Sequence, residues 1–290
     1  MLRKWMYLFT VFFLAACVLN HRADAANNSS LQIKGSDTMV NLGQAWAEEF
    51  MKMHPNVFAA VTGGGSGTGF AALIGNTCDI AMSSREIKPK EIELAGKKKI
   101  EPKEFKVALD GLAVVVHKDN PVSSLSLDEL AGIFTGKIKN WKDVGGKDLK
   151  IVLLSREVNS GTHVYFKEHV LRKNDPASKE EFSPEALLLP SSQAIADEVS
   201  NNHGAIGYFG MGYLSPALKA VSVSKDKNAE PVVPALDNVV SGKYPISRPL
   251  FLYTKGAPEG AAKEFVDFVL SAKGQEIVIK TDFVPVNKTS

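Results

Sequence analysis

At 290 residues with 44% hydrophobic content, the chain exceeds the usual size of one hydrophobic core and divides more readily between two lobes. A formal net charge of +2 provides no extended basic field, which argues against a protein held to nucleic acid by its charge. The 2 cysteines and 6 histidines show no zinc-knuckle or helical zinc spacing, with His163 and His169 too far apart for an i,i+4 pair, so neither a metal nor another cofactor is expected.

The chain opens with Arg3 and Lys4, followed by a nearly continuous apolar run from Trp5 to Leu19 and then small residues. That order is the pattern of an export signal. The run is shorter than the roughly 20 residues of a membrane-spanning helix, and no later stretch is longer, which argues against a polytopic membrane protein. Two processing sites overlap here. Leu14-Ala15-Ala16-Cys17 resembles a bacterial lipobox, which would make 1–16 the signal and anchor the product through Cys17. Ala23-Asp24-Ala25 suits ordinary signal peptidase, which would make 1–25 the signal and release the product to the periplasm. Either route gives a periplasmic or cell-surface protein. Cys78 reads as a small buried apolar residue.

Downstream, short β-rich runs alternate with helical patterns. Leu31-Gln32-Ile33 stops at Gly35, and Met39 to Met53 reads as an amphipathic helix closed by His54-Pro55. The order returns after Val57 to Val61, where a glycine-rich loop precedes a helix over Phe70 to Ile74, and after Ile151 to Leu154, where a loop precedes a helix over Thr162 to Leu171. This alternation predicts an α/β protein whose sheets are largely parallel and flanked by helices. Gly111 to Val116 and Pro249 to Tyr253 read as buried strands crossing between lobes. Lobe 1 is therefore expected over 26–112 plus 248–290, including helices from Gly260 to Lys280, and lobe 2 over 113–247.

The chemistry-bearing segments are the loops joining strands to helices. Gly35-Ser36-Asp37-Thr38 places hydroxyls at a helix start, where unpaired N–H groups and the helix dipole favour an anion; a simple helix cap would look the same. Gly63-Gly64-Gly65-Ser66-Gly67-Thr68-Gly69 lets the backbone approach a ligand closely, yet it matches neither a Walker A loop nor a dinucleotide fingerprint. Asp79 to Arg85 reads as a short buried strand ending in Ser84 and Arg85, where ligands meet open α/β sheets; a surface ion pair is the plainer reading of Arg85. Arg156-Glu157-Val158-Asn159-Ser160-Gly161-Thr162 joins a guanidinium, which binds oxyanions bidentately, to a hydroxyl-bearing helix start. Ser160 lies outside a G-x-S-x-G elbow, so a catalytic serine is not indicated.

These four loops, together with Ser126 to Leu130, Ile133 to Lys137, Asn140-Trp141, a turn at Gly204 to Tyr208 and a closing helix around Phe265 to Val269, resemble the phosphate-binding proteins of bacterial phosphate ABC transporters along nearly the whole mature chain. The resemblance implies a type II periplasmic-binding-protein-like fold of two lobes, each a mixed, mostly parallel sheet flanked by helices, with the ligand in the cleft between them. It implies no enzyme activity and a monomer that captures inorganic phosphate and delivers it to the membrane permease; the alternative is a receptor for another oxyanion (sulfate, molybdate or tungstate), or a phosphate sensor or adhesion module on the same fold. It assigns phosphate binding to Thr38, Ser66, Ser84 and Arg85 from lobe 1 and to Arg156, Ser160, Gly161 and Thr162 from lobe 2. The family often carries an aspartate after the serine of the third segment to accept the proton of monohydrogen phosphate. Arg85 stands at that position here, so either Asp37, Glu157 or a backbone carbonyl serves instead, or selectivity against sulfate is weaker than the family's.

Overall fold

The structure, a computed structural model, describes residues 29–286. The export signal, Cys17 and both processing sites lie outside the described residues. The elements in chain order are β1 (Ser29–Gly35), α1 (Val40–Met53), β2 (Val57–Thr62), α2 (Ser66–Ile74), β3 (Ile80–Ser83), α3 (Pro89–Lys97) and β4 (Lys103–His117). They continue with β5 (Ser124–Ser126), α4 (Leu127–Phe134), β6 (Val152–Arg156), α5 (Gly161–Phe166), β7 (Leu187–Leu189), α6 (Ser192–Asn201), β8 (Ala205–Gly210) and β9 (Leu218–Ser224). The last are α7 (Leu236–Val240), β10 (Ser247–Thr254), α8 (Gly260–Leu270), α9 (Ala272–Lys280) and β11 (Val284–Pro285).

The main strand path is β2-β1-β3-β10-β4-β8-β6-β7. Its outer members pair in parallel, β1 with β2 and β3, and β6 with β7 and β8. The strands between them run antiparallel, because β10 and β4 carry the chain from one lobe to the other in opposite directions. β4 does this in one span: Lys103 to Gly111 pair with β10, and Leu112 to Val116 pair with β8. The sequence pattern marked only its apolar second half. Lys103, Glu104 and Lys106 are exposed yet still laddered to β10, so their polar side chains conceal the strand.

Each half has its own core. α1 buries Leu42, Trp46, Ala47 and Phe50 along one stripe, as the helical period demands. Phe50 meets Phe265 of α8 edge-on at 5.2 Å, and the Trp46 indole donates to the Gly274 carbonyl of α9 at 2.8 Å. The C-terminal helices thus return to the core that also holds Leu31, Ile33, Met82 and Ala108. A separate cluster gathers Leu112, Val114 and Val116 with Trp141, Phe166 and Tyr208, while Ala113 and Val115 face Ile195, Val199 and Phe209 on the other side of the strand. Cys78 is buried and free, and burial pushes its thiol up to about 11.

Local chemistry explains the helix starts. Ser126 caps α4 and exchanges hydrogen bonds with Glu129, a capping box. Two sequence expectations change. The segment read as a helix from Thr162 to Leu171 is α-helical only to Phe166 and continues as a π turn from Lys167 to Leu171. The segment read as a turn at Gly204 to Tyr208 leads from Ala205 into the buried strand β8, which pairs with β4 and β6.

Candidate functional site

Three strand-to-helix loops end at one point. The loop after β1 brings Ser36 and Thr38, the glycine-rich loop after β2 brings Ser66 at the start of α2, and the loop after β6 brings Ser160, Gly161 and Thr162 at the start of α5. Gly65 takes φ +92°, a conformation that admits few other residues, and its N–H donates to the Gly35 carbonyl at 2.9 Å, which draws α2 against the end of β1. Ser160 caps α5: its hydroxyl accepts from the N–H groups of Thr162 at 3.2 Å and His163 at 3.5 Å.

Their side chains form a buried hydroxyl cluster. Ser36 donates to Ser84 at 2.9 Å, Ser66 lies 3.3 Å from the Ser84 hydroxyl, and Ser66 Oγ accepts the Ser84 N–H at 3.1 Å. Thr38 and Thr162 share a hydrogen bond of 2.8 Å across the cleft. Ser36, Thr38, Ser66, Ser84 and Thr162 are all buried. Gly161 packs directly on this cluster: a methyl at its Cα would overlap the Ser66 hydroxyl and stand 2.6 Å from Ser84 Oγ.

Two arginines frame the hydroxyls. Arg248 Nη2 donates to Thr162 Oγ1 at 2.9 Å, Thr38 Oγ1 at 3.3 Å and Asp110 Oδ2 at 3.0 Å, and Nε adds a second bond to the same carboxylate at 3.2 Å. Arg248 and Asp110 are register partners on β10 and β4, the two crossing strands, and are 2% and 0% exposed. Burial pushes the Asp110 carboxyl upward while the guanidinium pulls it the other way. Arg248 Nη1 is buried without a hydrogen-bond partner, an unspent donor at the cluster. Arg156 Nη2 pairs with Asp37 Oδ2 at 2.8 Å, tying the loop after β6 to the loop after β1, and Nη1 donates to Ser192 at 3.1 Å. Asp37 is held further by the Gly64 N–H at 3.0 Å and, through its carbonyl, by the Tyr213 hydroxyl at 2.6 Å.

Of the eight residues singled out from sequence, Thr38, Ser66, Ser84, Gly161 and Thr162 meet in the cluster, with Ser160 capping the helix beside it. Arg156 reaches its edge through Asp37. Arg85 is the exception. Its guanidinium turns to Glu91 of α3, donating at 2.8 and 2.7 Å, and lies over the Phe70 ring at 5.0 Å. The ion-pair reading of Arg85 is the one this geometry matches, because Glu91 at the first turn of α3 offers a fork-to-fork partner.

Ser160 and His163 do not form a nucleophile and base. The Ser160 hydroxyl is occupied as a cap, and His163 Nδ1 faces the Arg156 carbonyl at 2.8 Å and the Ser155 hydroxyl at 3.2 Å. Burial holds His163 down at about 4, well below its ordinary value of 6.5. The unfolded chain therefore takes up a proton on this ring before the folded one does, and stability contributed by the neutral ring is lost as pH falls from about 6.5 towards 4. Denaturant melts across that window should lose stability with a slope of up to about 1.4 kcal/mol per pH unit. A His163→Leu variant should show a shallower slope; an unchanged slope would remove His163 from this role.

The chain matches the model of the PBP superfamily domain over residues 20–273. It is 34% identical over 276 residues to the phosphate-binding protein PstS of Pseudomonas aeruginosa, covering 89% of this chain and 84% of that one. It is 38% identical to PstS of Bacillus subtilis, covering 89% and 81%. The chain belongs to the phosphate-binding-protein family. Among solved structures it resembles a phosphate ABC transporter substrate-binding protein from Clostridium perfringens with bound phosphate, at TM-score 0.80 and 33% identity, covering 89% of this chain and 100% of that one. A phosphate transport receptor from Vibrio cholerae superposes at TM-score 0.69 with 30% identity, covering 88% and 99%.

For this member of the phosphate-binding-protein family, sequence reasoning missed Arg248 and Asp110. Asp110 sits in the buried apolar half of β4 and Arg248 is the one charge of β10, and a charge so placed needs a buried partner. The signal was therefore present: one acid inside the apolar stretch of the first crossing strand and one base at the start of the second.

Proposed function

We propose that the chain binds inorganic phosphate between its lobes and delivers it to the permease of an ABC transporter. The single observation that carries this reading is the convergence of five buried hydroxyls, the start of α5 and the Arg248 guanidinium on one point. Hydroxyls and N–H groups can all turn donor toward a tetrahedral oxyanion, and a buried cation balances its charge. Thr38, Ser36, Ser66, Ser84, Gly161, Thr162 and Arg248 form the binding set, and Arg156 closes the cleft by pairing with Asp37. The lobes divide at the crossing strands, with 26–112 and 248–290 in one and 113–247 in the other. The protein is exported and acts as a monomer without enzymatic turnover; the occupied Ser160 cap and the orientation of His163 support a receptor over a hydrolase.

Asp37 and Asp110 are the carboxylates at the convergence, whereas Glu157 is exposed. One of the two accepts the proton of monohydrogen phosphate, which disfavours fully ionised sulfate by leaving two acceptors face to face. Isothermal titration of the phosphate-stripped protein with phosphate, arsenate, sulfate and molybdate, at two pH values straddling neutrality, tests the reading. Phosphate should bind with a Kd of about 1 μM or tighter, about 8 kcal/mol, with sulfate silent. Equal sulfate binding would make this a broad oxyanion receptor, and silence toward all four would sink the site. Arg85→Ala should change phosphate affinity less than threefold and instead lower the melting temperature, because it frees Glu91 and the first turn of α3. A large loss of affinity would return Arg85 to the ligand set.

A further inference from the structure

At the C-terminal end of β4, beyond Asp110, three metal-ligating side chains meet that phosphate binding does not use. His117 closes β4, Asp119 follows in the next turn, and His203 comes from the loop leading into β8. The two imidazole rings lie 3.8 Å apart at 43°, and His117 Nδ1 is 3.7 Å from Asp119 Oδ2. One ligand atom from each of the three residues falls within 4.8 Å of the others. His117 is buried, while Asp119 and His203 are exposed, so the group opens to solvent on one side.

The backbone beneath these residues is fixed. The Asn120 N–H donates to the His117 carbonyl at 2.9 Å, and Lys219 donates to the Asn120 carbonyl at 2.8 Å. On the other side, Asn202 Oδ1 accepts the Gly204 N–H at 3.1 Å, and the Gly204 carbonyl takes the Trp141 indole N–H at 2.9 Å. The Asp119 N–H donates to His117 Nδ1 at 3.2 Å, which fixes the ring; a metal bound at Nδ1 takes that lone pair in place of this hydrogen bond.

The geometry points to a binding site for one divalent transition-metal ion of the zinc class, held by His117, His203 and Asp119. Two imidazole nitrogens and one carboxylate oxygen form a borderline donor set that suits zinc, whereas calcium or magnesium prefers a shell made of oxygens. Bonds of about 2.0–2.1 Å put tetrahedral ligand atoms roughly 3.3 Å apart. The His117 and Asp119 atoms already stand near that spacing, and the exposed Asp119 and His203 side chains can supply the remaining movement. Water would complete the shell.

The test is titration of untagged, phosphate-free protein with zinc chloride in a non-chelating buffer, with cobalt(II) as a visible-absorption probe of coordination. One equivalent should bind, and His203→Ala and Asp119→Ala, both surface changes that leave the fold intact, should each weaken it by about 10- to 100-fold. Cobalt should give the intense absorption bands of a tetrahedral site, absent in both variants. Phosphate affinity should be the same with and without zinc, because seven residue steps along β4, roughly 23 Å of strand, separate His117 from Asp110. Absence of stoichiometric zinc binding, or full binding retained by both variants, would overturn the assignment.

Discussion

Arg248→Ala is expected to lower phosphate affinity by at least about a hundredfold, equivalent to about 2.8 kcal/mol. The guanidinium touches both threonines of the cleft and a carboxylate at once, and it carries an unused buried donor. Its removal deletes charge-assisted hydrogen bonds of about 1.5–3 kcal/mol each. It also leaves Asp110 as an unpaired buried acid beside the anion, which raises the cost of binding further. Because breaking a buried pair also destabilises the fold, Arg248→Lys is the companion variant. It keeps the charge but cannot donate from one planar fork to Thr162, Thr38 and Asp110, so it should fold and still lose affinity by more than about tenfold. Isothermal titration of both variants decides the matter: affinity within threefold of the parent in Arg248→Lys and Arg248→Ala alike would place the anion away from Arg248.

The second large effect is expected at Gly161. A methyl there overlaps the Ser66 hydroxyl, stands 2.6 Å from Ser84 Oγ and lies 3.1 Å from Ser66 Cβ. The serines can yield only by rotating their hydroxyls out of the cluster, and the lobes can yield only by staying apart. Either response costs phosphate affinity, by about a hundredfold on the scale of an overpacked interior, about 1–3 kcal/mol. The unliganded protein should be nearly untouched, because Gly161 opens a helix in which alanine is the better helix former. Gly161→Ala should therefore separate binding from stability: a melting temperature close to the parent without phosphate, and a much smaller rise when phosphate is added. Solution scattering should show the variant remaining open at phosphate concentrations that close the parent. A parallel loss of stability without phosphate would instead make Gly161 a packing residue of its own lobe.

The loops were legible because their chemistry is local. A glycine run before a helix, a Ser-Gly-Thr helix start and hydroxyls after β1 each announce an anion-ready terminus within a few residues, and alternation of apolar runs gave the strand and helix order. The extra length of β4 was not legible, since Lys103, Glu104 and Lys106 are polar side chains on a backbone paired with β10, a strand far along the chain. Arg85 could be read as ligand or as ion pair from its own neighbours, and the orientation of α3, which presents Glu91, decided for the ion pair.

Sequence by itself thus determined the class of the fold, the four loops and the kind of ligand they suit, because capping, turn chemistry and hydrophobic period act over a few residues. Tertiary structure alone decided which charges meet. Arg248 reaches Asp110 across 138 positions because two crossing strands align in one register. His117 and His203 meet for a similar reason, since the end of β4 and the approach to β8 are adjacent in the sheet. A buried charge is tolerated only where such a register supplies its partner, and register belongs to the assembled sheet.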